Sequence, residues 1–166
     1  MSEKDTIFSG KIKQAGLFSF KDLYSFMFEW LEEDGYNVIE KGYSEKIAGD
    51  SKDIEIKWEA KKKVSDYFRF VIKLDWRILG MKSIEAQKGD KKVKTNTGVL
   101  EIKFTGTLEK DYDGQWETNA FMKFLRGIYD RYIIRSRIQD YEGKLFGETQ
   151  ELIDQCKAFL VLETKR

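Results

Sequence analysis

The stretch that decides the fold is DYFRFVIKLDWRIL, residues 66–79. From Phe68 to Ile78 every second residue is large and apolar, and the residues between them are charged except for Val71. This period of two puts apolar side chains on one face of a β-strand and ionic side chains on the other. A sheet with one dry and one wet face is normally antiparallel, and other elements must cover its dry face.

Alternation or β-rich composition predicts further strands on both sides of this one. They are expected at residues 6–14, 36–47, 54–61, 81–87 and 92–110. Turn residues separate neighbouring strands at Gly49-Asp50 and at Gly89-Asp90. The sequence therefore predicts a curved antiparallel sheet of about five to six strands.

Helical spacing of apolar residues appears in three segments. Ser19 is the predicted N-cap of a helix that ends at Gly35. A second helix is predicted over residues 118–139, then a break over 141–147, and a third helix from about Glu148. The N-terminal helix and the two C-terminal helices are expected to cover one face of the sheet. The result is a single α+β domain over residues 1–166.

The order β-α-β-β-β-β-β-α-α is similar to that of helix-grip folds. In those folds a long C-terminal helix lies across a curved sheet. The resemblance, which is one of element order, implies that a ligand cavity can form between the sheet and that helix.

The composition of the chain excludes several classes of catalytic and binding site. Lys+Arg 30 against Asp+Glu 29 leaves a net charge of +1, so no global field favours nucleic acid or anionic lipid. The chain has no His, which excludes His-based nucleophilic triads and Cys/His zinc sites, and it carries no phosphate-binding loop motif. The sequence thus favours a non-enzymatic protein without a cofactor or metal. The acidic residues Asp111 and Asp113 are interpreted as turn residues, not as the start of a calcium loop.

The lone Cys156, the polar start and the lack of a long apolar run predict a cytoplasmic protein with no transmembrane segment. Cys156 lies on an apolar helical face and is interpreted as a packed small hydrophobe.

Large apolar side chains from the sheet and the helices converge on the predicted interior. The candidate ligand-binding residues are Trp30, Trp58, Phe70, Trp76, Phe104, Phe121, Leu125 and Tyr132. They form either a solid core or, if the sheet curves enough, an apolar pocket in which indole N–H and Tyr hydroxyl groups orient a ligand. Gly106 leaves out a side chain among them. The first hypothesis is a small apolar or aromatic molecule held between the sheet and the long C-terminal helix.

The alternative is a protein partner, or a second copy of the chain, bound by the Arg/Tyr-rich helix 118–139 or by an open sheet edge. The candidate partner-surface residues are Arg126, Tyr129, Arg131, Arg135 and Arg137. A third hypothesis is nucleic-acid binding through Lys-rich strand ends such as Lys61 to Lys63. It is disfavoured, because acidic residues lie among the lysines and the strand aromatics face the core.

Overall fold

The structure is a computed structural model, and it describes residues 3–65, 67–110, 120–128 and 135–164. Its elements are β1 (Glu3–Phe18), α1 (Phe20–Glu33), β2 (Asn37–Ala48), β3 (Ser51–Lys63), β4 (Phe68–Lys88), β5 (Lys91–Lys110), α2 (Ala120–Ile128) and α3 (Arg135–Thr164). The strands form one antiparallel 5-stranded sheet in the order β1-β5-β4-β3-β2, with β1 and β2 at its open edges. The predicted α+β class is confirmed.

The deciding strand behaves as its alternation predicts. The buried residues on its dry face are Phe68, Phe70, Ile72, Leu74, Trp76 and Ile78. Lys73, Asp75 and Arg77 are exposed on the outer face. A period of two therefore fixes which face of the sheet receives the helices.

Strand β4 is longer than predicted, because the segment 81–87 continues it and is not a separate strand. Gly80 takes a positive φ of 61, and the register with β5 shifts between Leu79 and Lys82. The Gly80 N–H donates a hydrogen bond to Asp53 Oδ1 at 2.8 Å. A bulge at this position bends the strand without ending it, which reduces six predicted strands to five.

Helix α1 crosses the dry face from one edge of the sheet to the other. Ser19 caps it, since its Oγ accepts from the Asp22 N–H, and Gly35 follows with a φ of 94. Its 14 residues span about 21 Å at 1.5 Å per residue. The path from β1 to β2 covers four strand spacings, or about 19 Å. The length of α1 thus matches the width of the sheet.

Helix α3 packs on β1 and β5 and also contacts α1. The predicted break over 141–147 is wrong, because α3 runs through this segment. Tyr141 packs on Phe68 with ring centroids 4.9 Å apart, and Leu145 is buried. These contacts outweigh the helix-interior cost of Gly143 and Gly147, about 1 kcal/mol each. The predicted helix 118–139 overlaps α2 and the start of α3, and residues 129–134 lie outside the described part of the chain.

Candidate functional site

Two tryptophans on neighbouring central strands form the centre of the candidate site. Trp58 on β3 and Trp76 on β4 are 1% and 2% exposed, and their ring centroids are 5.0 Å apart. Aromatic residues of α1 pack above them. We call the whole group the α1 aromatic cluster; its members are Phe20, Tyr24, Phe28, Trp58 and Trp76.

The indole N–H groups of Trp58 and Trp76 are both buried, and neither has a hydrogen-bond acceptor among the described residues. The Tyr24 hydroxyl lies close to the Trp58 indole, but their contact falls outside hydrogen-bond geometry. That hydroxyl donates instead to Glu40 Oε1 at 2.9 Å. Burial, together with this Glu40 hydrogen bond, raises the pKa of Tyr24 and keeps its proton in place. A buried N–H without an acceptor costs about 1–3 kcal/mol, so the cluster holds two donors suited to an incoming acceptor.

The structure separates the predicted pocket residues into groups. Phe70 and Phe104 are buried in the core, and Trp30 is half-buried on α1. Phe121, predicted to line the interior, is instead mostly exposed on α2, and Leu125 is half-buried on the same helix. Tyr132 lies outside the described residues.

The sequence prediction missed three members of the cluster on α1. Phe20, Tyr24 and Phe28 are spaced by four residues, which places them on one side of a helix. That spacing is visible in the sequence and could have identified them.

The interface between the sheet and α3 is tightly packed at Gly106. A Cβ at this position would lie 2.7 Å from Thr149 Oγ1. Gly106 therefore allows α3 to approach the sheet, and Thr149 fills the space that a side chain would take. Cys156 lies on the same helix and is buried, and burial raises the pKa of its thiol to about 12. Packing at this point favours the α1 side of the sheet over the α3 side for a ligand.

A polar cluster joins the end of α1 to β3 and α3. Lys62 Nζ lies 3.0 Å from Glu148 Oε1 and 3.8 Å from Asp34 Oδ2, and 5.1 Å from the ring centroid of Tyr36. The Tyr36 hydroxyl donates to Glu148 Oε2 at 2.5 Å. Burial, with this hydrogen bond, raises the pKa of Tyr36 far above its ordinary value. Because Lys62 is matched by two carboxylates, the cluster ties elements together and offers no free nucleophile.

The predicted partner surface is only partly described. On α2, the apolar residues Phe121, Phe124 and Ile128 are exposed at spacings of three and four, so they share one side of the helix. Arg137 is exposed on α3. The remaining residues of that prediction divide into two sets: Arg126 and Arg135, which lie within α2 and α3, and Tyr129 and Arg131, which lie outside the described residues.

Among the described residues, no three carboxylate or thiol side chains come together as a metal site. The possible calcium-loop start at 111–114 lies outside them. None of the described helices is both long enough and apolar enough to span a bilayer. Comparisons of the chain with protein-family models, with curated proteins and with solved structures find no match.

Proposed function

We propose that this protein is a non-enzymatic binding module that holds a small aromatic molecule at the α1 aromatic cluster. The observation that carries the proposal is the pair of buried indole N–H groups, on Trp58 and Trp76, without acceptors. A flat ring with a carbonyl group would supply a missing acceptor, because the oxygen accepts from one of the two indole N–H groups while the ring packs on the indoles.

The surroundings of the cluster supply a route of entry. Phe20, Tyr24 and Phe28 are only half-buried, and β2 beyond them is exposed along most of its length. The Tyr24–Glu40 hydrogen bond spans α1 and β2 at an exposed position. A ligand entering between α1 and β2 would displace side chains of α1 and leave the sheet intact. The ligand that we propose lies beneath α1, whereas the sequence prediction put it beneath the long C-terminal helix.

The test follows the indole N–H signals of the four tryptophans by ¹H–¹⁵N NMR. Titration with 2-acetylnaphthalene is expected to shift the Trp58 or Trp76 signal downfield, because a new acceptor polarises the N–H. The matched probe 2-ethylnaphthalene, which lacks the oxygen, should bind about 2- to 12-fold more weakly, the value of one hydrogen bond.

Trp76→Phe keeps an aromatic ring and removes the N–H, so it should reduce this difference between the probes. Trp30→Phe, on the half-buried part of α1, is the control and should leave it unchanged. Equal binding of both probes, or no response of Trp58 and Trp76 up to the solubility limit, would refute the proposal.

A second candidate function is assembly through α2, and the exposed apolar side of that helix favours it. Phe121→Ser with Phe124→Ser should abolish a concentration-dependent increase in mass measured by light scattering. A wild-type protein whose mass stays constant at all concentrations would exclude self-assembly through this surface.

A further inference from the structure

A separate pocket lies on the outer face of the sheet, opposite the helices. Its volume is about 150 Å³, and it is lined by Lys4, Thr6, Glu59, Val71, Lys73, Thr107 and Glu109. We call it the outer-face pocket. These residues come from β1, β3, β4 and β5, so the pocket is built on the rigid sheet and not on a loop.

The pairing register explains why these residues meet. Thr107 pairs with Thr6 on one side and with Val71 on the other, and Glu109 likewise pairs with Lys4 and Arg69. Val71 is 4% exposed and Thr107 is 8% exposed, so they form a buried floor within the outer face of the sheet.

A bulge in β1 brings the first strand into the pocket. The register shifts between Thr6 and Phe8. Phe8 lies opposite Gly106 on the dry face, but Thr6 lies opposite Thr107 on the outer face. Without the extra residue, Lys4 and Thr6 would share the face of Phe8, because the side-chain period of a strand is two. The bulge thus re-aims an ammonium group and a hydroxyl group into the pocket.

Both carboxylates of the pocket already have cations of their own. Glu109 is 3% exposed and accepts from Arg69 Nη2 at 2.8 Å and 2.9 Å, one bond to each carboxylate oxygen. Glu59 lies 3.1 Å from Lys61. Burial opposes its ionisation, but the Lys61 hydrogen bond and the nearby charges of Lys61, Lys41 and Lys73 lower the pKa of Glu59 on balance.

The two remaining lysines decide the sign of the net charge of the pocket. The lining holds two lysines and two glutamates, and Lys61 and Arg69 pair with the glutamates from beside the pocket. Lys4 and Lys73 form no ion pair within the described part of the chain, so the pocket and these two neighbours together carry two more cations than carboxylates. Two threonine hydroxyls lie beside them, and Val71 contributes an apolar floor. The volume corresponds to about five water molecules at 30 Å³ each, which is the size of a small metabolite.

We propose that the outer-face pocket binds a small hydroxylated molecule carrying an oxyanion, either a carboxylate or a phosphate. Lys4 and Lys73 bind the oxyanion through charge-assisted hydrogen bonds. Thr6 and Thr107 bind the hydroxyl groups of the ligand. This site is independent of the α1 aromatic cluster, because the sheet separates the two.

Isothermal titration calorimetry at low salt tests the proposal with three probes of similar size. Glycerol 3-phosphate carries a phosphate, glycerate carries a carboxylate, and glycerol carries neither. We expect at least one of the two anions to bind and glycerol not to bind. Preference for one anion over the other identifies the source of the oxyanion and supports the site in either case.

Variants then locate the binding. Lys73→Met keeps the aliphatic stem and should lower the affinity for the anion at least tenfold, which is the value of a hydrogen bond to a charged group. Thr107→Val is isosteric and should lower the affinity for the anion by a smaller factor. Lys103→Met removes an exposed charge from the outer face of β5 away from the pocket and is the matched control. Equal losses for Lys73→Met and Lys103→Met, or binding of glycerol as strong as that of the anions, would overturn the proposal.

Discussion

Replacing Gly106 by alanine tests how closely α3 lies on the sheet. The added Cβ would lie 2.7 Å from Thr149 Oγ1 and 3.6 Å from Leu145 Cγ. The Thr149 hydroxyl cannot rotate away freely, because it donates to the Leu145 carbonyl at 2.8 Å and is fully buried. Overpacking of this kind costs about 1–3 kcal/mol, so we expect Gly106→Ala to lower the free energy of unfolding by about 2 kcal/mol.

Urea unfolding followed by tryptophan fluorescence measures this change, with Thr149→Ala as the second arm of a double-mutant cycle. Removing Oγ1 removes the close contact, so the two substitutions should couple by about 1–2 kcal/mol. Gly42→Ala on the edge strand β2 is the control, since a Cβ there meets nothing within 4 Å. It should change stability by less than about 0.5 kcal/mol. Strictly additive effects, or a Gly106→Ala variant as stable as Gly42→Ala, would refute the close packing described here.

Three further predictions concern α3 and the end of α1. Gly143→Ala and Gly147→Ala lie on exposed, open positions of α3 and should each raise the free energy of unfolding by about 0.5–1 kcal/mol; a lower thermal midpoint would contradict this. Burial, together with the charge of Glu148, raises the pKa of Asp34, so the folded protein binds this proton more tightly than the unfolded chain. The contribution of Asp34 to stability therefore grows as pH falls through its raised pKa. Asp34→Asn should stabilise the protein at pH 7 and remove this pH dependence. Denaturation curves at several pH values measure the effect, and a contribution that shrinks as pH falls would contradict it. Cys156, whose pKa burial raises to about 12, should react with a disulfide reagent such as DTNB only after unfolding, and rapid labelling of the native protein would disprove its burial.

Much of the fold follows from local patterns. The alternation around Trp76 predicts its buried face, and the cap at Ser19 predicts where α1 begins. Gly80 led to the wrong prediction that the strand ends there. A single sequence does not distinguish a glycine that ends a strand from one that forms a bulge within it. The bulge is stabilised by Asp53 on the neighbouring strand, and that contact depends on register. Gly143 misleads for a related reason, since packing of the surrounding α3 residues outweighs its helix propensity.

The candidate sites were less predictable than the fold. A period of two places Trp58 and Trp76 on one side of the sheet, but it does not show which helix covers them. The outer-face pocket depends on the bulge between Thr6 and Phe8, where two adjacent strands disagree in length by one residue. The residue pattern of one strand does not show its pairing register with the next strand. Such a pocket can therefore be recognised only when the strands are paired.

The position of β1 in the sheet also sets an order of events in folding. Strands β2 to β5 are joined as successive hairpins, so each can pair with a neighbour in sequence as soon as both have formed. Strand β1 pairs instead with β5, and Phe18 reaches Asn96 and Glu3 reaches Lys110. Closing such long loops is slow. We therefore expect the meander to form first and the first-synthesised strand to be among the last to join, with α3 seated only after β1 completes the surface on which it rests.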